Sequence, residues 1–303
     1  MLSRKRKRLL LKLLSLFSTV RGYNILVIIL AQYLTSIFIL SPDLPLSQVI
    51  FDPNLLVIVL ATAGVIAAGY IINNFYDKEK DLINRPQKTL LDKFISQQTK
   101  LTVYFILNFL SVILASYISF KAVLFFTGYV FGIWFYSHKL KRYPIVGNVV
   151  ASLLAITPFF AVFIYYKNFE EVIFVHATFL GLILMVREMT KDLENLKGDL
   201  VQNYKTVPVV YGEQMSKNII TTLTLFCLLP IYLLLAYYEV GYMYMYFYLS
   251  VFLLLIFLIG LWRSTDKIQY VWLHFILKFI IVLGVFSIVL IDVHMILDRI
   301  SWI

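Results

Sequence analysis

Nine apolar stretches, each about 20 residues long, constrain this chain more than any other feature. They cover approximately residues 24–40, 54–75, 100–117, 120–137, 145–165, 171–188, 218–238, 242–263 and 271–297. A membrane-spanning helix needs about 20 consecutive apolar residues, and none of the nine shows the alternation of a lipid-facing barrel strand. The sequence therefore predicts an all-α, polytopic membrane protein in which residues 1–303 form a single integral-membrane domain.

Composition excludes a soluble globular domain. Of the 303 residues 61% are hydrophobic and 15% are charged, and the mean hydropathy is +0.84. A soluble domain carries about 25% charged residues, so this chain has too little polar surface to cover itself in water. The single cysteine, Cys227, lies in an apolar stretch. It excludes an intramolecular disulfide, and we expect it to pack as a small hydrophobic side chain.

Positive charge is distributed unevenly along the chain, whose formal net charge is +10. Nearly all Lys and Arg residues fall in the N-terminal arm or in the loops after spans two, four, six and eight; the exceptions are Lys121, Lys167, Lys278 and Arg299. The positive-inside rule places that side in the cytoplasm and the C-terminus outside, in the inner membrane of the cell. The basic arm, residues 1–20, is predicted to be an interfacial helix on anionic lipid. No nucleic-acid-binding motif accompanies the charge, so we expect no nucleic-acid partner.

Two polar segments, residues 76–99 and 189–217, are predicted to be cytoplasmic loops rich in Asp. Around the start of the first segment, side chains with oxygen ligands recur every four residues. In the second segment they follow Asp192 by three and seven residues. Each set shares one face if its segment is helical, and Gly198 followed by residues 203–208 indicates that the second helix ends nearby. The first acidic cluster is Asn73, Asp77 and Asp81, and the second acidic cluster is Asp192, Asn195 and Asp199.

Carboxylate and amide oxygens are the ligands that Mg²⁺ takes when it bridges a protein to substrate phosphates. One such cluster is equally compatible with a solvated helix end carrying Asp–Lys pairs. Two clusters on the same side of the membrane favour a shared diphosphate held by two Mg²⁺ ions, which would make it a better leaving group. Neighbouring cations are candidate diphosphate contacts: Arg21, Arg85, Lys88, Lys141, Arg142 and Arg187. Each could instead anchor a lipid headgroup, the interpretation we prefer for Lys139, Arg263 and Lys267.

The combined pattern resembles the UbiA superfamily of intramembrane prenyltransferases. Four stretches carry the resemblance: Arg21-x2-Asn24, Asn73-x3-Asp77-x3-Asp81, Tyr136-Ser137-x2-Leu140-Lys141-Arg142-x-Pro144-x2-Gly147-Asn148, and the second acidic cluster. The resemblance implies a nine-helix bundle with a central cavity, and Mg²⁺-dependent transfer of a prenyl group from an allylic diphosphate to an acceptor. It also implies that both clusters bind metal, that Lys141, Arg85 and Arg21 contact the diphosphate, and that Asn24 and Tyr136 line the cavity.

The second cluster resembles one branch of that superfamily in particular. The stretch Arg187-Glu188-x2-Lys191-Asp192-x-Glu194-x3-Gly198-Asp199, with Lys205-Thr206-x-Pro208 after it, is similar to members that alkylate the hydroxyl of geranylgeranylglyceryl phosphate. This membrane-embedded lipid acceptor would take a geranylgeranyl group and become an ether lipid, with Lys205 among the substrate-binding residues. Asn195 departs from the pattern, which has Asp there, and Glu194 points about 100° away on a helix and is a poor substitute.

Two alternatives remain open at this stage. One is a prenyltransferase acting on aromatic acceptors in quinone, haem or chlorophyll biosynthesis. The other is an ion transporter, which predicts acids near the bilayer midplane and broken helices in corresponding repeats. Three further residues allow structural interpretations. For Lys278 we prefer a snorkelling side chain, with a cavity-facing role as the alternative. Gln32 is expected to form an interhelical hydrogen bond or to line a cavity, and Pro230 is expected to kink span seven.

Overall fold

The computed structural model describes residues 4–86 and 94–293, and within those ranges the regular structure is helical. The α-helices are α1 (Arg4–Thr19), α2 (Gly22–Thr35), α3 (Leu46–Ile50), α4 (Pro53–Tyr76), α5 (Lys78–Asn84), α6 (Gln97–Ser116), α7 (Phe120–His138), α8 (Val146–Tyr166), α9 (Glu171–Val201), α10 (Val207–Phe226), α11 (Leu228–Tyr237), α12 (Tyr244–Arg263) and α13 (Lys267–Ser287). The predicted all-α class is confirmed.

Nine helical segments in the described part of the chain are long and apolar enough to cross a membrane. They are Gly22–Leu40, Pro53–Tyr76, Gln97–Ser116, Phe120–Arg142, Val146–Tyr166, Glu171–Val201, Val207–Tyr237, Gly241–Arg263 and Lys267–Leu290. Their number and order confirm the predicted spans. Short π and 3₁₀ segments complete several of them, as at Ser36–Leu40 after α2 and Leu140–Arg142 after α7.

In their described part, the two segments predicted to be loops are largely helical. The loop assignment is therefore corrected, whereas the helical face predicted for each cluster is present. α5 lies within 76–99, and α9 continues without interruption through the second acidic cluster to Val201. Hydropathy alone ends the sixth span where charged residues begin. The helix persists because those charged side chains find partners on it and on its neighbours, as in the Lys191–Glu188 pair at 2.8 Å.

Span seven is interrupted twice. Gly212 has φ 81° and ψ 169°, a conformation that favours glycine, and it breaks α10 shortly after its first turn. The second interruption, at Cys227, separates α10 from α11. Pro230 follows it and has no N–H to donate to the carbonyl of Phe226 four residues earlier, which agrees with the predicted kink. Cys227 is fully buried among apolar side chains, as expected.

Two large apolar clusters, with two small ones beside them, form the interior of the described part of the chain. One large cluster joins residues of α2, α4, α6, α7 and α8, and the other joins residues of α9 to α13. In α4, small residues let neighbouring helices approach closely: a Cβ added at Gly64 would lie 2.3 Å from Ser111 Oγ, and one at Gly69 would lie 3.0 Å from Ile133 Cγ2. α4 is thereby held centrally, with its C-terminal end placed at the site described next.

The N-terminal arm is helical, as predicted. α1 carries exposed apolar side chains at Leu10, Leu13, Leu14 and Phe17. An exposed apolar face beside a basic segment suits the membrane interface. Contact of this helix with anionic lipid stays a prediction.

Candidate active site

A cavity of about 480 Å³ opens among α2, α4, α7, α8, α9 and α13, within the range of roughly 300–1,000 Å³ that small-molecule sites occupy. Most of its wall is apolar, with side chains such as Val27, Ile66, Ile133, Phe159 and Leu184. Carboxylates and cations concentrate at one end. The cavity can therefore take a ligand with a long apolar body and an anionic head.

The first acidic cluster lies on one helical face, as predicted. The backbone N–H of Asp77 donates to Asn73 O at 2.9 Å, and that of Asp81 donates to Asp77 O at 2.8 Å. The four-residue repeat thus continues from α4 into α5. All three side chains line the polar end of the cavity.

Lys141 balances the charge of this cluster. Its ammonium group lies 2.6 Å from Asp77 Oδ1 and donates to Asn73 Oδ1 at 3.3 Å. Burial raises the pKa of Asp77, but Lys141 and Lys80 outweigh burial and the pKa is lowered from its ordinary value. Asp77 is therefore a buried carboxylate that stays ionised at neutral pH.

The second acidic cluster faces the same space from α9. Asp192 and Asn195 line the cavity, and Asn148 on α8 donates its amide to Asp192 Oδ2 at 2.7 Å. The Asn195 amide nitrogen donates to Lys191 O at 2.8 Å, which leaves its side-chain oxygen for a ligand. Asp199 is fully buried beside the cavity wall, where it pairs with Lys80 and accepts a hydrogen bond from Thr206 at 3.3 Å.

Three cations next to the carboxylates pack around the ring of Tyr204. Lys80 Nζ, Arg142 Cζ and Lys141 Nζ lie 4.8, 5.1 and 6.0 Å from the centroid of its ring. Burial raises the pKa of Tyr204 to about 12, so the protonated hydroxyl donates to Asp77 Oδ1 at 3.3 Å. Arg142 was predicted to bind substrate, but it packs on this ring and does not line the cavity.

Arg85 and Arg187 line the cavity and are joined through a partly buried hydrogen-bond network. Arg85 Nη2 donates to Glu194 Oε1 at 2.7 Å, and His274 Nδ1 lies 2.9 Å from Glu194 Oε2. Arg187 Nε donates to His274 Nε2 at 3.1 Å and Nη1 to Glu188 Oε1 at 3.1 Å. Because Nε2 accepts, Nδ1 carries the proton and donates to Glu194. Glu194 thus supports the two arginines and is no substitute for Asn195.

The remaining predicted residues divide into two groups. Arg21, Asn24 and Tyr136 line the cavity, and Asn24 donates to the Tyr70 hydroxyl at 3.1 Å. Lys205 does not line it: the side chain is exposed, and its backbone N–H donates to Arg142 O at 2.9 Å. Lys88 lies outside the described residues.

Three further interpretations are corrected or completed. Lys278 lines the cavity, which is the alternative to the preferred snorkelling interpretation. Gln32 fulfils both roles considered for it, since it lines the cavity and donates to Thr62 Oγ1 at 3.3 Å and Pro158 O at 2.9 Å. Lys267, interpreted as a headgroup anchor, donates to the backbone carbonyl of Asn84.

The sequence interpretation omitted Lys80, Asn148, Tyr204 and His274 from the site. Lys80 and Asn148 carried a signal, because each belongs to a stretch on which the resemblance rests. Tyr204 and His274 carried none. They are far in sequence from the residues that they contact, and only the fold brings them there.

This chain belongs to the UbiA prenyltransferase family, whose sequence model matches residues 29–279. Among curated relatives, it is 35% identical to digeranylgeranylglyceryl phosphate synthase of Thermococcus sibiricus over 50% of this chain and 54% of that protein. It is 27% identical to the enzyme of the same name from Methanobrevibacter smithii over 67% of this chain and 71% of that protein. The aligned part of the chain thus spans about half the length of the first relative and about two thirds of the second.

Solved structures share the fold. One, from work on digeranylgeranylglyceryl phosphate synthase in membranes, superposes with a TM-score of 0.70 at 20% identity, covering 92% of this chain and 98% of that one. Another is a UbiA homologue from Archaeoglobus fulgidus bound to GPP and Mg²⁺, with a TM-score of 0.66 at 15% identity, covering 91% and 99%.

Proposed function

We propose that this chain is an ether-lipid prenyltransferase. It transfers a geranylgeranyl group from the allylic diphosphate to the hydroxyl of geranylgeranylglyceryl phosphate. The observation that carries this proposal is one cavity whose polar end gathers the first acidic cluster, Asp192, Asn195 and several cations, while its body is apolar. The choice of acceptor is supported by the similarity to the two named relatives.

The polar end suits a diphosphate held through Mg²⁺. Asn73, Asp77, Asp81, Asp192 and Asn195 turn toward one space, and carboxylate and amide oxygens are the donors that Mg²⁺ prefers. The Archaeoglobus fulgidus homologue was solved with Mg²⁺ and GPP, which supports a site for Mg²⁺ and a prenyl diphosphate in this fold. Two ions, when bound, would neutralise the diphosphate and improve it as a leaving group.

Asp199 has a different role in this proposal. It holds Lys80 at the cavity edge by their ion pair and does not itself line the cavity. Lys80, Arg85, Lys141, Arg187 and Lys191 do line it. These cations contact the diphosphate oxygens and stabilise the charge that grows as the leaving group departs.

The bond changes are those of an alkyl transfer. The bond between the allylic carbon and the diphosphate oxygen breaks, and the electron pair leaves with the diphosphate. The acceptor oxygen forms the new ether bond to that carbon, and its proton passes to the departing diphosphate. Apolar and aromatic wall residues such as Tyr136 and Phe159 exclude water from the allylic cation and stabilise it with their ring faces.

The polar end opens toward the cytoplasm in this proposal, and the C-terminus lies outside. The bias of Lys and Arg supports that orientation, because the N-terminal arm and the loops at this end carry most of them. Both substrates have long apolar chains, so they would reach the cavity from the bilayer in which the protein lies.

The proposal is tested with purified protein, labelled geranylgeranyl diphosphate, Mg²⁺ and either geranylgeranylglyceryl phosphate or aromatic acids. We expect ether formation with the lipid acceptor only. Asp77→Asn and Asp192→Asn should each lower the rate about 100-fold or more, because they weaken metal-assisted loss of diphosphate. Asp43→Asn, at an exposed site away from the cavity, is the matched control. Prenylation of aromatic acids alone would overturn the choice of acceptor, and full diphosphate release by both Asp variants would overturn the mechanism.

A further inference from the structure

A second group of cations lines the cavity away from the carboxylates. Lys278 Nζ on α13 lies 4.3 Å from the centroid of the Tyr23 ring, and Arg21 Cζ lies 5.1 Å from that of Tyr70. Within residues 4–86 and 94–293, neither cation has a carboxylate within 4.0 Å. Both line the cavity together with Tyr23 and Tyr70.

These cations lie deeper in the bundle than the acidic clusters. Tyr70 precedes Asp77 by seven residues on α4, which corresponds to about 10 Å along the helix axis. Lys278 follows His274 by four residues on the same face of α13, about 6 Å farther along that axis. The cavity therefore has an outer level that carries carboxylates and cations, and an inner level that carries cations and aromatic rings.

An unpaired cation inside a membrane protein is costly and calls for a partner. Ring faces stabilise Arg21 and Lys278 in part, and they leave guanidinium and ammonium hydrogens available. Arg21 also holds a left-handed backbone conformation, φ 50° and ψ 54°, at the residue before α2. Strained backbone of this kind persists where the surroundings enforce it, and functional sites are where it concentrates.

We propose that Arg21 and Lys278 bind the phosphate monoester of the acceptor lipid, while the outer level binds the diphosphate of the donor. This inference rests on the proposed function and reassigns Arg21 from the diphosphate to the acceptor. Arg makes paired hydrogen bonds to phosphate, and Lys adds a point charge. Among the residues that the structure describes, no carboxylate pairs with these two cations, so both are available to an anionic monoester.

The two levels also explain how the acceptor is oriented. A glyceryl phosphate whose phosphate sits at the inner level presents its hydroxyl toward the outer level, where the allylic carbon is released. An acceptor without a phosphate leaves the half-buried Arg21 and Lys278 without a phosphate partner, and such a mismatch discriminates between substrates.

The experiment compares Lys278→Gln with wild type in detergent free of phospholipid. Each protein is assayed with geranylgeranylglyceryl phosphate and with geranylgeranylglycerol, which lacks the phosphate. We expect Lys278→Gln to lower kcat/KM for the phosphorylated acceptor about tenfold or more. The kcat/KM for geranylgeranylglycerol and the KM for the donor should stay unchanged. Lys278→Arg should retain the preference, and Lys121→Gln, at an exposed site on α7, is the matched control.

Three results for Lys278→Gln would each overturn the inference. They are an equal loss of kcat/KM on both acceptors, a raised KM for the donor, and recovery of its activity when anionic phospholipid is added. The last result would identify a headgroup site. If Lys278→Gln does not fold, Arg21→Gln is assayed in the same way with the same expected outcome. A wild-type protein that prenylates neither acceptor overturns the proposed function itself, whereas one that prenylates both equally well overturns only the phosphate site.

Discussion

The role of Glu194 follows from the residues that it contacts in space, which its neighbours in sequence do not show. Its angular distance from Asn195 on a helix already excluded it as a replacement ligand. The structure gives it a different task, since it accepts hydrogen bonds from Arg85 and His274 at 2.7 and 2.9 Å. Through these two contacts the Glu194 carboxylate on α9 connects Arg85, directly after α5, with His274 on α13.

Lys141 and Asp77 allow a sharp test of charge balance at the site. Lys141→Met would leave the Asp77 carboxylate buried without its closest cation, which costs about 3 kcal/mol. We expect a lower Tm in EDTA and a smaller decrease in excess Mg²⁺, because a metal ion supplies the missing positive charge. Thermal unfolding in detergent, with and without Mg²⁺, measures both.

Lys139→Met is the control for that variant, since Lys139 is exposed two residues away. Its Tm should match that of the wild type in both conditions. An equal decrease for Lys141→Met with and without Mg²⁺ would show that the metal does not take up charge beside Asp77.

At the scale of elements, the crossing of α5 and α9 positions the two acidic clusters. The Asn84 amide donates to Asn195 O at 3.3 Å, and the N–H of Gly198 donates to Asn84 Oδ1 at 3.3 Å. A Cβ at Gly198 would lie 2.3 Å from Asn84 Nδ2. Glycine at this position therefore sets how closely the helices approach.

Gly198→Ala should push the two helices apart. We expect it to lower stability by about 1–3 kcal/mol, as overpacking does, and to lower prenyl transfer as well. Gly128→Ala on α7 is the matched control, because nothing lies within 4 Å of a Cβ there; its stability should be unchanged or slightly higher. Equal Tm values for the two variants, measured by thermal unfolding, would contradict this account of the crossing.

Sequence patterns correctly predicted the number and order of the spans, because hydropathy and helix length are local properties. They also identified Asp77, Asp192 and Lys141, whose spacing and context are local as well. They also indicated that the helix of the second acidic cluster ends near Gly198, close to its observed end at Val201. Only the boundary between span and loop was misplaced, since hydropathy ends the span where charged residues begin. The sequence left Lys278 with two interpretations and favoured snorkelling, because only the packing of α13 turns its side chain toward the cavity.

At the scale of the whole molecule, orientation in the membrane is a separate prediction. Cys227 is fully buried, so after Cys227→Ala single cysteines can report the two sides. We expect Tyr117→Cys, in the exposed turn between α6 and α7, to react with an impermeant maleimide in intact cells. Gln98→Cys, exposed at the start of α6, should react only after lysis. The reverse pattern would place the polar end outside.

The network at the polar end has a consequence for biogenesis. Arg85 and Glu194 are 109 residues apart in the chain, and His274 follows Glu194 by 80 residues. At roughly 5–20 residues per second, about 5–20 seconds of synthesis separate Arg85 from its partner. The first five spans therefore enter the bilayer before Arg85 can contact Glu194. Glu194 is then synthesised 80 residues before its second partner, His274. The insertion machinery, or lipid headgroups beside it, must accommodate these charges until the last span arrives.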